Sequence, residues 1–240
     1  MTAKAEGLLL VDKPRGWTSH DVVAVVRKLL PRDTKVGHSG TLDPLATGLL
    51  VLLVGRATKS AARLQGLAKV YSGHLRFGIE TETLDLEGRI LHEAPVPELP
   101  REDLQKLFAG YVGECELPIP AYSAVKHQGR PLYKYARKGI VTPPKIRTSV
   151  IHDLTLLDWT PPEASFRMRC SSGTYVRAFA SDAGKKIGCG AVLSSLCRES
   201  VGAFTLAGSR TIEQLRTAGK DGPDGVLNML QALEPAAANA

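Results

Sequence analysis

The sequence predicts an α+β fold, a mixed and mostly antiparallel sheet flanked by helices. Three observations carry this. Stretches that alternate apolar and polar residues, as strands do, are interleaved with stretches spaced like amphipathic helices. The two kinds follow one another without a steady βαβ rhythm, which argues against a doubly wound parallel sheet. A chain of 240 residues, 43% hydrophobic and 23% charged, can bury one large core or two small ones.

The elements follow in order. Residues 7–11 (GLLLV) read as a strand, closed by a Lys-Pro-Arg-Gly turn. Ser19 is the predicted N-cap of a helix running to about residue 30, where Pro31 stops it. Residues 49–54 (LLVLLV) are the longest apolar run and end at Gly55; they fit a buried strand or a buried helix segment equally well. Residues 69–77 alternate like a strand, and Glu87-Gly88 marks a turn before a short strand at 89–92. Residues 98–110 are predicted helical, with Pro100 near the first turn and Gly110 at the end. The proline-rich stretch 118–148 reads as an excursion inserted into the core. Phe166, Met168 and Cys170 alternate with Arg167 and Arg169, giving a strand one apolar and one basic face. After Gly173 a helix is predicted from 174 to about 187. Residues 211–216 and 226–233 read as short closing helices, and the Ala-rich end 236–240 as a frayed tail. A single domain over 1–235 is the expected organisation.

Composition narrows the function. No apolar run reaches 18 residues, the first ten residues carry no cleavage signal, and the four cysteines have neither metal-ligand nor dithiol spacing. A soluble, cytoplasmic protein with reduced thiols and no membrane partner is expected. The net charge of +7 is unevenly placed: residues 121–220 hold 16 Lys/Arg against 6 Asp/Glu, and 121–150 hold seven basic residues and no acidic one. Such a field suits a polyanion. A merely solvated basic face fits it as well.

The densest local signal is Gly37-His38-Ser39-Gly40-Thr41-Leu42-Asp43-Pro44-Leu45-Ala46-Thr47-Gly48. Glycines and a proline impose an irregular backbone that presents a His, a Ser and an Asp, and rigid loops of this kind often carry catalytic groups. The plainest reading is a turn in which Asp43 caps a following helix. A nucleophile elbow needs G-x-S-x-G, but position 41 is Thr, so a Ser39 hydrolase fits poorly.

The segment resembles the catalytic motif G-H-x-G-x-L-D-P-x-A-x-G of TruB-type pseudouridine synthases at every fixed position. Further blocks resemble the same family in the same order across roughly residues 7–205. They are Lys13-Pro14 with Gly16 and Ser19; Lys69-Val70-Tyr71 with Gly78, Thr81, Thr83, Asp85 and Gly88; and Tyr122-Ser123-Ala124 through Gly129, Tyr133 and Gly139. Cys170-Ser171-Ser172-Gly173-Thr174-Tyr175-Val176-Arg177 follows, then Leu196 and Arg198 with Gly202 and Phe204.

The resemblance implies a pseudouridine synthase fold with a basic RNA-binding cleft, and isomerisation of a uridine in the T loop of tRNA after the base is flipped out. It assigns Asp43 as the catalytic carboxylate, Arg177 as its guanidinium partner, and Tyr71 as the aromatic that stacks on the base and relays the proton at C5. It makes Leu196 the apolar wall of the pocket and His38 the filler of the space the base leaves. It makes Lys13, Tyr122, Lys126, Arg130, Lys134 and Arg137 substrate-binding. Read without it, Arg177 is a surface charge, Tyr71 a half-buried strand aromatic, Leu196 core, and His38 structural. The expected partner is the tRNA T-arm stem-loop, met by a monomer with neither a guide RNA nor any metal or organic cofactor. Family members commonly continue into a small RNA-binding module, the PUA domain; only 36 residues follow Phe204, so no such domain is expected. An RNA-binding or tRNA-folding protein with dispensable catalysis is the alternative.

Overall fold

The computed structural model describes residues 6–220 and 222–232. The predicted tail at 236–240 and Leu233 lie outside them. The chain forms two compact units, one made of residues up to 69 together with those from 197 onward, the other of residues 70–196. The observed class is α+β, and most strand pairs are antiparallel. No helix among the described residues is long and apolar enough to cross a membrane.

The first unit opens with strand β1 (Gly7–Lys13), helix α1 (Ser19–Leu29), the short β2 (Val36–His38) and β3 (Thr47–Val54). The ambiguous run 49–54 is therefore a strand. It pairs antiparallel with β1 from Gly7↔Val54 to Lys13↔Gly48, and with β2 on its other edge. Leu49, Val51 and Leu53 share one face and form a cluster with Leu8, Leu10, Ala57, Leu64 and Val201. Both faces of β3 are buried, so its sequence is continuously apolar rather than alternating. Each such side chain contributes about 1.5–3 kcal/mol on burial.

Helix α1 differs from the expectation by one residue in its cap. Thr18, not Ser19, is the N-cap: its hydroxyl accepts from the Asp21 amide at 3.1 Å, while the Asp21 carboxylate accepts from the Thr18 amide at 2.8 Å. Ser19 is buried and faces elsewhere.

Strand β4 (Lys69–Phe77), in the second unit from Val70 onward, leads to a small hairpin of β5 (Ile79–Thr81) and β6 (Ile90–Glu93). Helix α2 (Arg101–Ala109) starts three residues later than predicted. Pro100 is its N-cap and disfavours a helical Leu99, whose carbonyl accepts from the Trp159 indole at 2.8 Å. Strand β7 (Gly113–Pro118) pairs antiparallel with β8 (Ile146–Thr160), from Ile151↔Gly113 to Ile146↔Pro118. Residues 119–145 thus leave one strand and return to its partner, and hold only a hairpin at 126–131 and helix α3 (Leu132–Ala136). Next to β8 lies β9 (Glu163–Cys170), with Phe166, Met168 and Cys170 buried and Arg167 and Arg169 outward. Helix α4 (Val176–Ile187) covers the apolar face: Phe179 meets Phe108, Tyr111 and Phe166 edge-on at centroid distances of 5.0–5.8 Å. It starts at Val176 rather than 174. Gly173 is left-handed (φ 78°) and the Thr174 hydroxyl donates to the Ser171 carbonyl at 3.0 Å, closing a turn there.

Strand β10 (Ala191–Val201) gives its first six residues to the second unit and its last five to the first. In the first unit its Cys197 and Arg198 pair in parallel with Thr47 and Gly48. Gly48 is required there, because a β-carbon would lie 2.5 Å from the Arg198 carbonyl oxygen. Helix α5 (Ile212–Ala218) is capped by Thr211 and helix α6 spans Asp224–Leu227 only. The expected helix at 226–233 is cut short because Gln231 pairs with Leu8 through two 2.8 Å backbone hydrogen bonds.

Candidate active site

Asp43 sits on the loop between β2 and β3. No helix follows it, so it caps none. Its loop is fixed from several sides. The Gly40 carbonyl accepts from the Arg198 guanidinium at 3.2 Å and that of Thr41 at 3.5 Å. The Leu42 carbonyl accepts from the Ser19 hydroxyl at 3.2 Å, and the Leu42 amide donates back to it at 2.8 Å. The Asp43 carbonyl closes a turn with the Ala46 amide at 3.1 Å. The Pro44 carbonyl accepts from the Gly16 amide at 2.8 Å and the Lys13 ammonium at 3.4 Å. Five consecutive carbonyls around the carboxylate are thus engaged. Backbone groups bonded in this way leave the loop few alternative conformations.

Lys13 was expected on the substrate, and its place in the fold is different. It is fully buried, with its ammonium on the carbonyls of Pro14 (3.1 Å), Trp17 (2.6 Å) and Pro44 (3.4 Å). It holds the Lys-Pro-Arg-Gly turn against the Asp43 loop and has no surface to offer a phosphate. Arg198 is 2% exposed and also bonds the Leu49 carbonyl at 2.8 Å. Sequence reasoning noted it only as a motif member. Its period-two spacing from the buried Leu196 put it on an inward face, and a charged residue there must find buried partners.

His38 is half-buried at the end of β2. Burial first, and then the Arg198 charge, holds its imidazole below the ordinary histidine value, so it is neutral at pH 7. Its Nδ1 accepts from the Gly40 amide at 3.3 Å, which leaves the proton on Nε2. Ser39 is 1% exposed. A nucleophile must be reachable, and this hydroxyl is not.

In the second unit, Arg177 is the second residue of α4 and is no surface charge: it is 4% exposed. Its guanidinium donates to the Thr83 carbonyl at 2.6 Å and the Tyr122 carbonyl at 3.1 Å, and its Nε lies 3.7 Å from the Asp85 carboxylate. Asp85 is itself buried and accepts from the Thr83 hydroxyl and the Glu87 amide. Gly88 closes this turn where a β-carbon would fall 2.2 Å from the Thr83 hydroxyl. The motif Thr81, Thr83, Asp85, Gly88 is therefore a seat for Arg177, a role that its spacing alone did not reveal. Tyr71 lies on the buried face of β4, 9% exposed. On the same face Gly73 approaches β10, where a β-carbon would be 2.4 Å from the Ser195 carbonyl and 3.3 Å from the Leu196 side chain. Leu196 is 8% exposed.

The Tyr122 hydroxyl donates to Glu82 at 3.2 Å. Beyond it, Lys126, Arg130, Lys134 and Arg137 are all exposed along 119–145. Arg137 stacks over the Tyr133 ring at 5.3 Å, and Tyr135 is turned inward, its hydroxyl on the His127 carbonyl at 3.1 Å.

Residues 27–176 match the model of the TruB family pseudouridylate synthase N-terminal domain. The chain belongs to the TruB family. Among its relatives, the tRNA pseudouridine synthase B of Azoarcus sp. (strain BH72) is 42% identical over 228 residues, covering 95% of this chain and 75% of that protein. That of Opitutus terrae is 42% identical over 210 residues, covering 88% of this chain and 87% of that protein. Among solved structures, a Cbf5-Nop10-Gar1 complex superposes with a TM-score of 0.71 at 24% identity, over 94% of this chain and 60% of that one. An archaeal box H/ACA sRNP Nop10-Cbf5 complex gives 0.68 at 22%, over 95% and 60%. Both likenesses are of fold.

Proposed function

We propose that this chain isomerises a uridine in the T loop of tRNA to pseudouridine. Membership of the TruB family and the names of its relatives, tRNA pseudouridine synthase B, support this reading. The observation that carries it to a residue is the Asp43 loop, held at five successive carbonyls. Enzymes hold a group in this way when its position must not drift.

The reaction breaks the N1–C1′ bond of uridine and forms C5–C1′, with the uracil retained and turned in the pocket. C5 gives up its proton and N1 gains one, so no electrons are exchanged with an outside partner and no redox cofactor is needed. An ionised carboxylate can add to C1′, add to the base, or assist elimination across the sugar, and Asp43 is the residue assigned that part. Arg177 is the guanidinium that orients it, a pairing carried over from the family motif. Tyr71 stacks on the base and relays the C5 proton, and Leu196 walls the pocket. A neutral His38 occupies the space left by the flipped base. Tyr122, Lys126, Arg130, Lys134 and Arg137 contact the T-arm stem-loop, with the exposed cations on its phosphates. Lys13 serves the loop rather than the RNA. The enzyme acts as a cytoplasmic monomer, and recognition is by the protein without a guide RNA.

Asp43→Asn tests the proposal, because it keeps shape and removes the charge. Tritium release from 5-tritiated uridine in a T-arm stem-loop should fall by a factor on the order of a thousand, about 4 kcal/mol of transition-state stabilisation. The dissociation constant for the RNA should stay within about threefold. Turnover that survives in Asp43→Asn but is lost in Ser39→Ala would sink the assignment.

A further inference from the structure

We infer that Ser19 is a positioning residue for the isomerisation, acting on Asp43 through the backbone of Leu42. The inference rests on the reading of Asp43 as the reacting carboxylate. Helix α1 has no need of this hydroxyl, because Thr18 supplies its cap and Asp21 completes it. Ser19 is instead 2% exposed and turned to the loop. It accepts from the Leu42 N–H at 2.8 Å and donates to the Leu42 C=O at 3.2 Å. A hydroxyl has one proton to give and lone pairs to receive, so the two bonds coexist.

The geometry of these two bonds gives them their effect. The Leu42 N–H belongs to the peptide plane before its Cα, and the C=O belongs to the plane after it. Gripping both restricts rotation about the two soft torsions between them. The second plane also contains the nitrogen of Asp43, so it sets the direction from which that side chain departs. The Leu42 side chain is buried, so the residue cannot swing away. Helix α1 is itself a firm support, with Val22, Val23 and Val26 at most 3% exposed. Two other side chains that hold this loop, Lys13 and Arg198, are long and reach it through flexible stems. The Ser19 hydroxyl stands one carbon from the helix backbone, so it transmits the helix position with little slack. Removing it takes away a single atom, which should loosen the carboxylate without emptying the core. Displacement of a reacting group by about 1 Å is enough to slow a reaction by about a hundredfold.

The test uses the full chain with Ser19→Ala, Ser19→Thr and Asp43→Asn, under single-turnover conditions on a 5-tritiated T-arm stem-loop. Ser19→Ala should react about 10- to 100-fold more slowly while its RNA dissociation constant moves less than about threefold. Ser19→Thr keeps the hydroxyl and should recover the rate to within about fivefold of the parent. Ser19→Cys, close in volume and weak in hydrogen bonding, replaces either variant that does not fold, and its rate should fall between them. A folded Ser19→Ala that reacts at the parental rate overturns the inference. So does a rate loss that Thr leaves unrepaired and that follows thermal stability across the set, since plain destabilisation would explain it. If Asp43→Asn reacts normally, the underlying reading fails instead. If Asp43→Asn is dead and Ser19→Ala is unimpaired, this inference alone falls.

Discussion

The loop at 37–48 and the insertion at 119–145 use positive charge in opposite ways. Around the loop, Lys13 and Arg198 are buried and spend their donors on backbone carbonyls. In the insertion, Lys126, Arg130, Lys134, Arg137 and Lys138 point to solvent. The insertion is held by local contacts such as Leu132 N–H to Val125 C=O at 2.8 Å and Lys145 to the Lys126 carbonyl at 2.9 Å, and Val141 is 95% exposed. Cations of the first kind fix geometry and those of the second kind offer charge. On the proposed function, the first kind holds the Asp43 carboxylate still and the second meets the folded RNA. The comparison breaks if the two kinds respond alike to substitution.

The largest contrast is expected at Arg198. Arg198→Met roughly keeps volume but leaves the carbonyls of Gly40, Thr41 and Leu49 unpaired. Stranding buried acceptors costs about 1–3 kcal/mol each at worst, so a loss of about 3 kcal/mol is expected in urea denaturation. Arg130→Ala, on the exposed insertion, should change stability by no more than about 0.5 kcal/mol. Equal losses would show that burial does not separate the two classes. Arg177→Lys comes next. A lysine cannot reproduce the fork that reaches the Thr83 and Tyr122 carbonyls beside Asp85. Single-turnover rates should fall about a hundredfold, near 2.7 kcal/mol, with RNA affinity little changed. A near-normal rate would remove Arg177 from the catalytic group.

These cations also mark where the sequence was readable. The strands at 7–13 and 69–77 and the helices at 19–29 and 101–109 followed from alternation and from turn residues, and the Asp43 motif stood out by its density. The role of each charge was not readable, because a count of Lys and Arg carries no depth. The basic excess over 121–220 includes Arg177 and Arg198, which are 4% and 2% exposed and present nothing to RNA phosphates from the surface. Lys13 was placed on the substrate by the family resemblance, and a motif match carries no depth either. Ser19 was read as a cap because Ser before a helix usually is one; the competing Thr18 has a partner three residues on, and that partner decided the cap. The run 49–54 could not be assigned because a strand buried on both faces loses its alternation.

A smaller effect should separate the insertion from a merely solvated surface. Replacing Arg130, Lys134 and Arg137 with Glu should weaken T-arm binding about tenfold or more at moderate salt. The slope of log K against log salt should flatten by about one for each phosphate that is no longer neutralised. Filter binding across an ionic-strength series measures both. An unchanged slope would mean that the RNA follows another surface and that these cations serve solubility.

The smallest expected effect is on pH dependence, and it returns to the loop. Burial and the nearby Arg198 charge lower the His38 pKa in the folded protein, while the unfolded chain keeps the ordinary value near 6.5. Between those two values the unfolded state binds more protons at this site than the folded state. Stability contributed by a neutral His38 is therefore present above pH 6.5 and is lost as pH falls through 6.5 toward the depressed folded value. His38→Gln cannot take up that proton. Between pH 7.5 and 5.5 the parent should lose about 1–2 °C more in melting temperature than His38→Gln, once the carboxylate contribution common to both is subtracted. If the two melting curves stay parallel down to pH 5.5, the His38 imidazole is not desolvated.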